Sequence, residues 1–149
     1  MALRERSPDV AIAIADVPGA ALYSYYTTGE LKAEGSSITE GIGQGRITAN
    51  LEGLSVDEAF FIEDQESLVA TLGLVHDEGL NVGLSTGVNV AAAIRFARRL
   101  GPGKTIVTVL CDPATRYQTR LFNPEFLRSK GLTPPDWLEH PQGFVPDLV

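Results

Sequence analysis

Cysteine is all but missing from this sequence, with Cys111 the single example. That excludes an internal disulfide framework and any multi-thiolate metal site. Histidine is nearly as scarce. His76 and His140 stand in unrelated contexts without ligand spacing, so no metal site is expected. Basic residues are outnumbered, 12 Lys and Arg against 19 Asp and Glu, for a net charge of −7. Nucleic acid and anionic membranes attract clustered cations, so neither partner class fits. No apolar run approaches the roughly 20 residues that cross a bilayer. The opening Met1–Pro8 is mixed in charge and leads into no signal-type apolar run, which makes the cytoplasm the expected compartment.

What is present is an ordinary globular composition, 44% hydrophobic and 21% charged over 149 residues, enough for one domain. Val10–Ala15 is a short, partly β-branched apolar run stopped by Pro18-Gly19, the pattern of a strand buried on both faces. Ala59–Ile62, Leu80–Leu84 and Thr105–Leu110 read as further strands. Asp64 is the expected N-cap of a helix over 65–78, with Leu68, Val69, Leu72 and Val75 at helical spacing and Gly79 at its left-handed end. Val88–Leu100 gives a second helix with Val90, Ala93, Ile94 and Ala97 on one face, closed by Gly101-Pro102. Residues 1–6 favour helix but are too few for a normal opening element. Residues 116–130 read as helical or mixed, and Pro134-Pro135 onward as an extended or frayed end. Strands alternating with helices predict an α/β fold, a mostly parallel sheet flanked by helices.

Between the first two strands, residues 20–53 carry few periodic signals, a long connection of the kind that is often functional. Within it lies Glu40-Gly41-Ile42-Gly43-Gln44-Gly45. Its glycines allow positive φ and close backbone approach to a ligand. The spacing is not a dinucleotide fingerprint, and on residue physics alone a plain glycine-rich turn is the preferred reading. Gly101-Pro102-Gly103-Lys104-Thr105 lacks the upstream glycine of a phosphate loop and reads as a turn. Gly83-Leu84-Ser85-Thr86-Gly87 places hydroxyls where a strand gives way to a helix, beside free amides and the positive end of the dipole. An ordinary N-cap is its plainer reading. Asp112 follows the last strand, where α/β proteins gather ligands, or else it forms an Asp-Pro turn. Cys111, with no cation nearby in sequence, reads as a small buried apolar residue.

Taken in order, several segments resemble the C-terminal portion of the cysteine synthases and cystathionine β-synthases. These are pyridoxal phosphate (PLP) enzymes with the tryptophan synthase β-like fold. The segments are Pro18–Tyr23, Glu40–Gly45, Gly83–Gly87 and Thr105–Asp112, extended by Thr115-Arg116-Tyr117-Gln118 and Leu121-Phe122. The resemblance covers roughly residues 1–138, leaving 139–149 as a C-terminal tail. It implies that Ser85 hydrogen-bonds the pyridine nitrogen of PLP and that Asp112 lies near the ring. It further implies that Glu40, Gly41 and Gly43 border the substrate pocket. Cys111 stands where many relatives have proline.

A neutral hydroxyl, unlike a carboxylate, does not hold the pyridine protonated, which suits β-elimination and replacement on an activated serine or serine with sulfide or another thiol. The family's Schiff-base lysine, substrate-carboxylate loop and phosphate cup have no counterpart in the sequence. Lys32, Lys104 and Lys130 do not match that lysine, so no catalytic residue is assigned in this chain. Residues 1–6 resemble the helix behind the phosphate cup, which makes Met1 look like an internal methionine of a longer enzyme. The expected partner is the lysine-bearing N-terminal half or a second copy. The competing expectations are a non-catalytic partner-binding module and, more remotely, a nucleotide-binding α/β domain.

Overall fold

The computed structural model describes residues 2–140. Met1 and most of the expected tail, 141–149, lie outside the described residues. A short helix α1 (Ala2–Arg6) leads to strand β1 (Ala13–Asp16), then to α2 (Leu22–Thr28), strand β2 (Glu58–Phe61), α3 (Asp64–Glu78) and α4 (Leu84–Leu100). The C-terminal part holds three small helices, α5 (Gln118–Leu121), α6 (Pro124–Ser129) and α7 (Asp136–Glu139). The sheet is parallel, with Ala13 opposite Glu58 and Asp16 opposite Phe61. This is the expected α/β class, with helices packed against a parallel pair.

The sheet is smaller than the sequence predicts. Val10–Ile12 precede the ladder, Leu80–Gly83 form no strand, and Leu84 already belongs to α4. Thr105–Leu110 pair with nothing among the described residues. β-propensity describes fitness for a pleated, half-buried surface; a ladder needs an adjacent edge as well.

The connection over 20–53 is also less bare than expected, since it contains α2 and a 3-10 turn at Ala49–Leu51. Asp16, buried at the end of β1, makes α2 possible: its Oδ2 accepts the Tyr23 N–H at 2.8 Å, satisfying an orphan amide of the first turn. Burial pushes the Asp16 carboxyl up from its ordinary value, while hydrogen bonds from Tyr23 and other backbone amides pull it back.

Glu63, not Asp64, occupies the N-cap of α3. Asp64 reaches back instead to accept from the Ser37 hydroxyl and from the Ile38 N–H, tying down the long connection. Gly79 ends α3 at φ 66°, as its position predicts. On α3, Leu68 and Leu72 are buried with Ser67 and Thr71, whereas Val69 is exposed.

The buried side of α4 is Val88, Ala91, Ala92 and Phe96, one register around from the expected face; Ile94 is exposed. The helix is apolar around much of its circumference, so periodicity alone could not choose the side that packs. Gly87 sets the α3–α4 contact. A Cβ there would meet Thr71 Oγ1 at 2.0 Å and the Ser67 carbonyl at 2.2 Å.

Two cores result. One joins the sheet to α4 through Val17, Phe60, Ile62, Val88 and Phe96. The other joins α3 to the C-terminal segment through Leu68, Leu72, Leu84, Leu121 and Leu127. α7 falls where an extended end is expected, and its Trp137 stacks on His76 at 4.8 Å between centroids.

Candidate functional site

α4 begins at a seam. Gly83 N–H donates to the Asp112 carbonyl at 2.8 Å. Cys111 N–H donates to Thr86 Oγ1 at 2.8 Å, and Asn89 Nδ2 donates to the Val109 carbonyl at 2.9 Å. These bonds hold the 109–112 segment along the first turns of the helix. Only glycine permits the closure at 83, because a Cβ would sit 2.8 Å from Tyr117 Cε2 and 3.2 Å from the Asp112 carbonyl oxygen. Gly83 and Asp112, far apart in sequence, therefore meet two residues before Ser85.

Ser85 is 4% exposed, and its Oγ has no hydrogen-bond partner among the described residues. A buried hydroxyl without a partner costs about 1–3 kcal/mol and is uncommon in folded proteins. The plain N-cap reading does not account for it: Gly83 holds the cap position, and Ser85 lies inside the helix.

Asp112 is half-buried and held through one carboxylate oxygen. Its Oδ2 accepts from the Tyr117 hydroxyl at 2.8 Å and from Arg116 at 2.9 Å. The Tyr117 hydrogen bond, with the Arg116 charge adding to it, holds the Asp112 carboxyl below its ordinary range and raises the Tyr117 phenol in turn. Cys111 is exposed, contrary to the buried position expected of it, because the 105–111 segment runs along the outside of α4 rather than within a sheet.

The glycine loop approaches from the other side of the chain. Glu40 is ion-paired with Arg120 on α5, and its charge also acts on Tyr117. The Gln44 carbonyl accepts the Ala21 N–H at 2.8 Å, laying the loop across the start of α2. Gly43, at φ 90°, could not carry a side chain: its Cβ would lie 2.9 Å from that of Ala20. Gly41, at φ 76°, faces open space. Immediately before the loop, Thr39 Oγ1 is a second buried hydroxyl without a partner.

The structure thus forms two polar pairs, Asp112 with Tyr117 and Glu40 with Arg120, close enough for the Glu40 charge to act on the Tyr117 phenol. Sequence reading did not single out Thr39, the Tyr117 hydroxyl or Arg120, since nothing in local spacing links positions 40, 112 and 120.

A family model described as pyridoxal-phosphate dependent enzyme matches residues 1–112. The chain belongs to that family. Cysteine synthase 1 of Neurospora crassa is 46% identical over 123 residues, covering 80% of this chain and 33% of the relative. Cysteine synthase 2 of Schizosaccharomyces pombe is 37% identical over 145 residues, 89% of this chain and 37% of the relative. Among solved structures, the O-acetylserine dependent cystathionine beta-synthase from Helicobacter pylori superposes with a TM-score of 0.70. It is 32% identical, over 78% of this chain and 36% of its own. The chain spans about a third of the length of the relatives it matches.

The residues present fit one end of PLP. The unpartnered Ser85 hydroxyl is a donor at the positive end of a helix, suited to a neutral aromatic nitrogen. A Schiff-base lysine is a different matter. Lys32 is paired with Glu34, which raises its pKa and keeps its amine charged. Lys130 lies over the Phe126 ring at 5.7 Å, and Lys104 is exposed. A nucleophilic amine must be neutral and desolvated; Lys32 is held charged by Glu34, and Lys104 is exposed to solvent. Among the described residues no cluster could hold a metal ion, and no helix is long and apolar enough to cross a membrane.

Proposed function

We propose that this chain supplies the pyridine end and the substrate-side loop of a PLP-dependent cysteine synthase-like site, completed by a lysine-bearing portion outside it. The observation that carries this reading is the buried, unpartnered Ser85 hydroxyl at the start of α4. When bound, PLP would act as an electron sink for β-replacement on O-acetylserine or serine by sulfide or another thiol, in the cytoplasm.

Ser85 would donate its hydroxyl hydrogen to the ring nitrogen, filling its vacant partnership and leaving that nitrogen without a proton of its own. The Tyr117 and Arg116 bonds keep Asp112 ionised and turned along the seam. Asp112 would then contribute negative potential near the ring without competing for the nitrogen. Glu40, Gly41 and Gly43 would border the amino-acid substrate, with Arg120 holding Glu40 in place. Residues 1–138 form the enzyme-derived domain in this reading, and 139–149 a tail.

One hydroxyl bond contributes on the order of 1 kcal/mol net, too little to retain a cofactor. The chain alone should therefore lose added PLP on gel filtration. Co-expressed with a lysine-bearing cysteine synthase portion, it should retain PLP and form cysteine from O-acetylserine and sulfide, with Ser85→Ala weakening both. Stoichiometric PLP on the chain alone, mapped to Lys32, Lys104 or Lys130, would overturn the proposal.

The exposure of Val107, Val109 and Leu110 favours a second reading, a partner-binding module without catalysis. Complex formation with no gain of cysteine synthesis would select it.

A further inference from the structure

Among the described residues β2 pairs with β1 alone, which leaves its other edge free. The pairing uses the N–H groups of Glu58 and Ile62, which donate to the Ile12 carbonyl at 3.4 Å and the Asp16 carbonyl at 2.9 Å. Backbone groups alternate in direction along a strand, so the N–H and C=O of Ala59 and Phe61 face outward. The Phe61 carbonyl is met by Arg95 Nη1 at 2.9 Å. The Ala59 N–H, the Ala59 carbonyl and the Phe61 N–H stay open. Unpaired edges of this kind are templates for a further strand.

The edge opens into a cavity of about 330 Å³ whose two sides differ. Successive side chains of β2 turn to opposite faces. Phe60 turns toward α4, meeting the Phe96 ring at 5.9 Å and lying 5.2 Å beneath the Arg99 guanidinium. Phe61 turns toward α2, with its ring 5.4 Å from that of Tyr23. Arg95, Arg98 and Arg99 line the α4 side of the cavity and Tyr23 the α2 side. Spacings of three and four residues put the arginines on one face of the helix.

Three of the 12 basic residues of an acidic chain thus gather at one edge, and no acidic residue lines the cavity. Arg95 is ion-paired with Glu66 and Arg99 with Glu58, which orients both. Arg98 is exposed and makes no hydrogen bond or ion pair among the described residues.

We infer that this edge docks an extended segment of a partner protein in which acidic and apolar side chains alternate. The segment's backbone pairs with Ala59 and with the Phe61 N–H. Its acidic side chains turn onto α4, toward Arg98 and the unused N–H groups of Arg95 and Arg99. Its apolar side chains turn onto Tyr23 and Phe61. Charges along an edge repel copies of the same edge and select a partner of opposite sign. A second copy would set arginine against arginine. The inference is independent of the two-part enzyme, since no residue of the Ser85 seam or the glycine loop takes part.

The probe is a short peptide of alternating glutamate and valine, blocked at both ends, titrated into the full chain and followed by amide NMR. It should bind with a dissociation constant below about 1 mM and move the Ala59 and Phe61 amide signals most. The same peptide with lysine in place of glutamate should bind at least about tenfold more weakly. Arg98→Gln should weaken the glutamate peptide by at least about threefold at unchanged melting temperature, since Arg98 has no partner to lose.

No binding of the glutamate peptide overturns the inference outright. Binding that leaves the Ala59 and Phe61 amides unmoved overturns the strand pairing. Equal binding of the lysine peptide, or indifference to Arg98→Gln, overturns the role of charge. The same amide shifts produced by inorganic phosphate would make the edge a plain anion site, and shifts on concentrating the chain alone would assign it to a second copy. Either result overturns the proposed partner.

Discussion

The two flanks of α4 are finished to different degrees. Toward α3 the helix is closed: Gly87 lets the backbones nearly touch, and Leu68, Leu72, Leu121 and Leu127 form a buried cluster beyond. Toward residues 104–108 it is open, with alanines facing a gap and valines of the opposite wall turned to water. Both flanks are apolar in composition. The closed one buries its leucines against other described residues, whereas the open one leaves Val107 and Val109 exposed. Apolar character creates a demand for burial; it does not by itself provide the partner that meets it.

This contrast can be broken most sharply at Gly87. An added methyl would strike Thr71 and the Ser67 backbone, and helix backbones cannot yield by the required distance. Gly87→Ala should cost at least about 3 kcal/mol, read from the urea midpoint at unchanged slope.

Next in size is Leu68→Ala on the closed flank, which should cost about 3 kcal/mol through lost burial and the cavity left behind. Val107→Ala on the open flank should change stability by less than about 0.5 kcal/mol. Equal losses at the two positions would remove the distinction between the flanks.

A smaller effect of opposite sign is expected at the seam. Ser85→Ala deletes a buried hydroxyl that has no partner, so the isolated chain should gain about 1 kcal/mol. In a completed enzyme the same substitution should weaken PLP retention. A gain in stability accompanied by a loss of function would mark Ser85 as kept for a ligand. A loss of stability in the isolated chain would show instead that the hydroxyl is satisfied there.

The smallest effect is electrostatic. Tyr117→Phe removes the main cause of Asp112's lowered pKa, which should rise toward the ordinary carboxylate value in a carbon-13 titration. The linkage follows from the signs. Asp112's folded pKa is depressed, so its contribution to stability is present above the unfolded value and lost as pH falls through the folded one. Tyr117's is raised, so its contribution is present below the unfolded phenol value and lost as pH climbs through the folded one. The variant should flatten both limbs of the pH profile. An unchanged Asp112 titration would assign the shift to its backbone hydrogen bond and Arg116.

Local signals were legible wherever the chain settles a question within a few residues. Gly79 and Gly101 stop their helices at positive φ, and the α3 and α4 spans follow the expected periodicity to within a turn. The motif around Ser85 marked a helix start, although the residue lies inside the helix and Gly83 takes the cap. Failures occurred where a choice depended on distant atoms. Leu80–Leu84 and Thr105–Leu110 have strand composition without a strand neighbour, Cys111 is exposed, and α4 buries a different face from the one chosen by periodicity. Thr39, the Tyr117 hydroxyl and Arg120 carried no local signal, because their meaning lies in pairings across the fold.

The sequence by itself determined the α/β class, the helix stops, the absence of disulfide and multi-thiolate chemistry, and the family resemblance carried by the Glu40–Gly45 and Gly83–Gly87 segments. Backbone sterics and the burial of short apolar runs act over a few residues and leave their mark in composition and spacing. The tertiary structure alone decided that Ser85 lacks a partner among the described residues, that Asp112 is held by Tyr117 and Arg116, and that β1 and residues 105–108 line one groove. Each is a statement about which groups meet and which do not, and hydrogen bonds act only over about 3 Å.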